Sequence, residues 1–139
     1  VAPDNADLLV LKGVSLELLG SEDVAQRAFD DARTSYNDPE AFYASRAQTY
    51  MIANRPDLAL ADTERTIALN PESALAYYQR GNAHASLGNF AAAITDMEKA
   101  SELAEAAGQT ELQGMARVQL GNFMMMMSAP QLEEPTPEP

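Results

Sequence analysis

Cysteine and tryptophan are absent from the 139 residues, and histidine occurs once, as His84. Without cysteine the chain has no disulfides, no thiolate ligands for a metal or an iron–sulfur cluster, and no cysteine nucleophile. A single histidine does not make a zinc site. The apolar runs are far shorter than the ~20 residues that a membrane-spanning helix needs, so we expect no membrane insertion.

Positive charge is also scarce. The chain has 9 lysine and arginine residues against 21 aspartate and glutamate residues, for a net charge of −12, and the cations are scattered singly. Because a phosphate backbone would be repelled, we expect no nucleic-acid partner. Cysteine-free, acidic sequences suit a bacterial cytoplasm and, almost as well, a periplasm or organelle lumen.

An internal repeat is what the chain does have. Tyr43 and Tyr77 are related by a sequence offset of 34, and the same offset relates several other pairs. These pairs are Arg46 with Arg80, Ala59 with Ala93, Asp62 with Asp96, and Leu69 with Leu103. In the preceding copy, Gly13 and Ala25 occupy the positions of Gly81 and Ala93, so three copies fit in the chain.

Each copy has the periodicity of two helices. Apolar and small residues recur at spacings of three and four, which is one stripe of an α-helix, and Gly, Asn and Pro residues interrupt the stripes. One pair cannot cover both of its apolar faces, so the copies must stack. The predicted helix pairs are 6–19 with 22–35, 39–53 with 56–69, and 73–87 with 89–106.

The two ends of the chain differ from the copies. Residues 3–6 repeat the pattern of residues 71–74, which indicates the tail of an earlier repeat and hence a fragment of a longer array. Residues 110–127 predict one continuous helix when Gly121-Asn122 is aligned with Gly81-Asn82, at an offset of 40. The competing register, at an offset of 33, would break this helix. Residues 128–139 hold four prolines and three acids, which predicts a disordered tail.

These positions resemble the tetratricopeptide repeat. The family has a small residue at position eight (Gly13, Gly81), alanine at position twenty (Ala25, Ala59, Ala93) and proline near position thirty-two (Pro71). The resemblance implies an all-α, right-handed α-solenoid of three helix pairs plus a C-terminal capping helix. It divides the chain into a domain at 1–127, with repeats at about 6–37, 40–71 and 74–107 and a cap at about 110–127, and the tail at 128–139. Pro39 stands two residues later than Pro71 predicts, so we expect a tighter turn between copies one and two.

The resemblance also implies a function and a site. In this family the first helices of the pairs line a concave groove that binds a peptide or helix of a partner protein. Members that hold an acidic C-terminus use Lys and Asn there, where this chain has Val10, Val14 and Leu75, so we expect a mixed apolar and neutral polar ligand. Carried over by position, the candidate groove residues are Asp7, Val10, Val14, Glu17, Gln48, Met51, Ile52, Leu75, Tyr78, Asn82 and Ser86.

The sequence also allows a structural role, and it argues against a catalytic one. The repeats could serve as a structural spacer within a longer array, with contacts made by end-on stacking or by self-association of the methionine-rich C-terminal helix. The favoured interpretation of Met124–Met127 is that two or three of them cover the apolar side of the third repeat. Catalysis has no visible site: His84 occupies a helix-packing position, and nucleophile elbows and phosphate-binding loops are absent. The sequence therefore predicts no enzyme, no metal and no cofactor.

Overall fold

The computed structural model describes residues 3–129, which form seven helices and no strand. Every helix agrees with the sequence-predicted bounds to within three residues at each end. The helices are α1 (Pro3–Leu18), α2 (Glu22–Ser35), α3 (Pro39–Ile52), α4 (Pro56–Leu69), α5 (Ala74–Ser86), α6 (Phe90–Ala106) and α7 (Thr110–Ser128). Successive helices pack as the pairs α1–α2, α3–α4 and α5–α6, and the pairs stack in series, with α7 against α6. The predicted all-α solenoid of helix pairs is confirmed.

The helix ends follow from local sequence. In all three pairs the turn after the first helix contains a residue with positive φ, and these residues, Gly20, Asn54 and Gly88, lie one period apart. This left-handed conformation closes the helix and costs glycine nothing. The second pair begins at Pro39, where the carboxylate of Asp38 accepts a hydrogen bond from the amide of Glu40 at 2.9 Å.

Two ion pairs, each with a buried aspartate and a partly buried arginine, hold first and second helices together. The guanidinium of Arg46 donates to both carboxylate oxygens of Asp62 at 2.7 Å, joining α3 to α4. One period later, Arg80 makes the same contact with Asp96 at 2.9 and 2.7 Å, joining α5 to α6. The half-buried His84 lies beside this second pair, with its Nε2 3.9 Å from an oxygen of Asp96.

The first two pairs pack on each other differently from the second and third. Phe42 is fully buried between α2 and α3, with its ring centroid 6.4 Å from that of Phe29 and 6.0 Å from that of Tyr36. The equivalent residue of the third copy is Ala76, which lets α4 pack closely on α5. Because the Phe42 ring fills this space, the second pair rests mainly on α1 instead of α2. This altered packing occurs at the junction where Pro39 departs from the family pattern.

At the C-terminal end, the interpretation that methionines of α7 cover the third repeat is wrong. Met124–Met127 are each more than half exposed, so these methionines do not cover the third repeat. Ala116 and Phe123 of α7 are buried there instead, in a cluster with Ala93, Met97 and Ala100. Helix α7 also continues to Ser128, one residue into the segment assigned to the tail, and residues 130–139 lie outside the described residues.

Candidate functional site

The first helices α3 and α5 and the single helix α7 line one continuous depression. Its three parts share residues: Leu75, Tyr78 and Met115 each belong to more than one of them. The part between α3 and α5 has a volume of about 380 Å³. We call the whole depression the groove surface, and we call its part between α3 and α5 the groove. The groove is lined by Gln48, Met51, Leu75, Tyr78, Gln79, Asn82 and Met115.

The groove is lined by apolar side chains and by neutral amides. Met51, Leu75, Tyr78 and Met115 supply apolar surface, and the amides of Gln48, Gln79 and Asn82 each offer a donor and an acceptor. The Gln79 Nε2 donates to the Ala44 carbonyl at 3.3 Å, which ties α5 to α3. Among the described residues that line the three parts of the groove surface, none is a cation, and Glu111, at the start of α7, is the one carboxylic acid.

Five of the eleven predicted groove residues lie together in the groove. They are Gln48, Met51, Leu75, Tyr78 and Asn82. Ile52 and Ser86 lie at the C-terminal ends of α3 and α5, outside the groove lining. Ile52 is exposed, and the hydroxyl of Ser86 donates to the Asn82 carbonyl at 3.0 Å.

The positions predicted in the first copy are corrected by the structure. Val10 is 0% exposed and Val14 is 2% exposed, so neither side chain can reach a ligand. Both belong to the core cluster that includes Ala47 and Tyr50 of α3. The physical reason is that α1 packs on α3. This packing covers the side of α1 that carries Val10 and Val14, which the family resemblance implies to be exposed in the groove.

The two predicted acids of the first copy bind tyrosines instead of lining the groove. The Asp7 carboxylate accepts hydrogen bonds from the Tyr36 hydroxyl and from the Ser45 hydroxyl, the latter at 2.7 Å. Glu17 accepts from the Tyr50 hydroxyl at 2.6 Å. Burial, reinforced by the hydrogen bond to Asp7, raises the pKa of Tyr36 to about 12. Burial and the bond to Glu17 raise the pKa of Tyr50 in the same way. These contacts fix α1 against α3.

The tyrosine contacts make stability depend on pH in the alkaline range. A tyrosine whose folded pKa lies above its unfolded value of about 10 contributes stability below pH 10, and loses that contribution as the pH rises through its folded pKa. We therefore expect the free energy of unfolding to fall between about pH 10 and pH 12. Urea unfolding at several pH values measures it. The double variant Tyr36→Phe, Tyr50→Phe should be less stable at neutral pH and have a shallower alkaline slope; equal slopes would contradict the assignment.

Sequence reasoning missed Gln79 and Met115. Gln79 lies three residues before Asn82, and its position is not one of the groove positions that the family resemblance implies. Met115 is missed because the sequence analysis assigns α7 to capping or self-association and not to the groove. The signal was nevertheless present: at the offset of 40 that aligns Gly121 with Gly81, Met115 corresponds to Leu75. The same offset aligns Val118 with Tyr78 and Asn122 with Asn82 in the sequence. Val118 and Asn122 line the part of the groove surface along α7.

Among residues 3–129, no helix has the length and the apolar content needed to cross a bilayer. Within the same residues, His, Asp and Glu side chains form no group of three or more that could hold a metal ion.

Helix pairs that recur with a fixed sequence period and stack in series define a helical-repeat protein of the protein-interaction class. A family model described as "Tetratricopeptide repeat" matches residues 47–121, more than half of the chain. The chain belongs to the tetratricopeptide repeat family.

Relatives of known name match short stretches. The Hsp70-Hsp90 organizing protein of Triticum aestivum is 33% identical over 94 residues, which is 68% of this chain and 16% of that protein. The TPR repeat-containing thioredoxin TDX of Arabidopsis thaliana is 36% identical over 61 residues, 44% of this chain and 16% of that protein. The chain thus spans about one sixth of the length of these curated relatives.

Solved structures share the fold. PcrH in complex with the chaperone binding region of PopD has a TM-score of 0.66 at 16% identity, covering 92% of this chain and 97% of that chain. The first TPR of Spaghetti (RPAP3) bound to the HSP90 peptide SRMEEVD has a TM-score of 0.64 at 23% identity, covering 93% and 98%. PcrH from Pseudomonas aeruginosa has a TM-score of 0.65 at 17% identity, covering 89% and 95%.

Proposed function

We propose that the groove holds a segment of a partner protein and that the chain performs no catalysis. The observation that carries this proposal is the convergence of α3, α5 and α7 on one depression lined by apolar side chains and neutral amides. Similar structures bind a peptide or a chaperone binding region. Tyr78, half-buried and shared by two parts of the depression, is the apolar anchor, because tyrosine is enriched among residues that dominate binding energy.

The groove chemistry selects the ligand. A segment with apolar side chains buries them against Met51, Leu75 and Met115, while its backbone exchanges hydrogen bonds with the amides of Gln48 and Asn82. Because none of the described residues that line the groove surface is a cation, a terminal carboxylate or a run of acids would lose its hydration without gaining a charged partner. The bound segment is therefore apolar and neutral or basic.

Loss of the anchor gives the sharpest test. Peptides of twelve residues selected from a random phage-displayed library on the full chain would be measured by calorimetry. The variant Tyr78→Ala, Asn82→Ala should weaken a selected peptide at least ~10-fold, equivalent to about 1.4 kcal/mol, because it removes the apolar anchor and one amide. Unchanged affinity would contradict the proposal.

Neighbouring residues of α3 supply a matched control. Met51 lines the groove, whereas Ile52 is 79% exposed outside it. Met51→Ala should weaken the selected peptide and Ile52→Ala should not. The acidic peptide SRMEEVD, bound by one of the similar structures, should bind this chain far more weakly than the selected peptide. Tight binding of SRMEEVD would contradict the inferred ligand chemistry.

A further inference from the structure

Helix α7 is built as the first helix of a pair. At the sequence offset of 40, Ala116 corresponds to Ala76 and Phe123 to Ala83, and all four are buried. In α5 these residues face the preceding pair, and in α7 Phe123 likewise contacts α6, with its ring 6.3 Å from that of Phe90. The buried side of α7 therefore packs on the preceding helix pair in the same way as the corresponding side of α5.

The other packing face of α7 is open. In α5 this face meets α6: a Cβ placed on Gly81 would lie 2.8 Å from the Met97 side chain and 3.2 Å from the Ala93 carbonyl oxygen. Its counterpart Gly121 has no such neighbour within 4 Å among the described residues. Gly121 thus has the sequence position at which Gly81 allows two helices to pack closely, but no described helix packs against it.

This open face has few charges, unlike most of the molecule. Residues 118–128 of α7 contain no ionisable side chain, in a chain whose net charge is −12. Arg117, one turn before Gly121 and at the position of Tyr77, is the charged residue of this face, and its guanidinium donates to the Ser101 hydroxyl and to the Glu105 carboxylate, both at 3.3 Å. Two copies of so acidic a chain repel each other at most approaches, but not here.

We propose that a second copy of the chain covers this face. The two α7 helices cross antiparallel near Gly121, so each packs on the face of the other that corresponds to the α6-facing side of α5. A two-fold arrangement buries both open faces at once.

The pairing is independent of the proposed function, because Gly121 and Met124 line no part of the groove. Met124 corresponds to His84, which in α5 faces α6 beside Asp96. Met126 lies about 200° further around α7, on the opposite side of the helix. Their exposures are similar, at 52% for Met124 and 57% for Met126. The two methionines therefore form a matched pair for a test.

Sedimentation velocity on the full chain, between about 1 µM and about 1 mM, measures the association. We expect a concentration-dependent dimer whose dissociation constant rises at least tenfold in Met124→Glu and stays at the wild-type value in Met126→Glu. Gly121→Ala should also weaken the dimer, because the added Cβ blocks close approach of the helices. Circular dichroism of each variant should match the wild type, which separates loss of association from loss of folding.

Three results would overturn this inference. One is a wild-type chain that stays monomeric throughout the concentration range. Another is equal weakening by Met124→Glu and Met126→Glu, which would indicate non-specific contact of the methionines. The last is open-ended assembly into larger species, which would indicate head-to-tail stacking instead of a two-fold dimer. Groove variants such as Tyr78→Ala should leave the dimer unchanged, so failure of either proposal is distinguishable from failure of the other.

Discussion

Asp62→Asn is expected to lower the free energy of unfolding by about 3–5 kcal/mol. Asp62 is 2% exposed and the Arg46 side chain is 11% exposed, so the substitution leaves a buried guanidinium without its counter-charge. Burial alone would lower the pKa of Arg46, but the hydrogen bonds and charge of Asp62 outweigh this effect and raise it. The guanidinium is also packed 4.7 Å from the Phe29 ring centroid and 5.0 Å from that of Phe42, which leaves it little access to water.

Urea unfolding with an unchanged m-value would measure this loss. Asp57→Asn is the control, because the Arg55–Asp57 pair has the same bidentate form with both side chains exposed. An exposed pair of this kind is worth about 0–1 kcal/mol, so the control should change stability little. Equal effects of the two substitutions would contradict the view that the buried pair holds α3 to α4.

Gly13→Ala is expected to destabilise the chain by about 1–3 kcal/mol, although alanine favours helix more than glycine does. A Cβ at this position would overlap the ring of Phe29, a buried aromatic side chain of α2 that cannot move aside without disturbing the core. Overpacking of this kind outweighs the gain in helix propensity, which is about 1 kcal/mol.

Gly121→Ala provides the matched comparison in α7. Nothing lies within 4 Å of a Cβ at that position, so the monomer should gain about 1 kcal/mol from helix propensity alone. Thermal unfolding at low concentration, where the chain is monomeric, would measure both substitutions. A stabilised Gly13→Ala variant would contradict the close packing of α1 on α2.

The sequence predicted the helices and their pairing well because the signals are local. A helix end depends on a few neighbouring residues, such as Asp38-Pro39 or Gly88, and the period of 34 makes each copy confirm the others. Five groove residues of the second and third copies were among the positions implied by the family resemblance, whereas Gln79 was not. These features needed no knowledge of how the copies tilt against one another.

The first copy was placed wrongly because its exposure depends on packing between copies. Transfer by position assumes that each pair lies on the next at the same angle. With Phe42 in place of alanine, the second pair packs mainly on α1 instead of α2, and Val10 and Val14 are buried while Asp7 and Glu17 accept hydrogen bonds from tyrosines. One bulky side chain at an interface is a weak signal in a single sequence, and its effect on helices of a neighbouring copy is not local.

Methyl NMR of the chain's seven methionines tests the central claim, that the groove formed by α3, α5 and α7 binds a partner segment. On addition of the library-selected peptide, the methyl signals of Met51 and Met115 should shift, because both line the groove. The signal of Met97, which is fully buried, and that of Met124, on the far side of α7, should stay in place. Shifts confined to Met124–Met127, with Met51 and Met115 unmoved, would contradict the account.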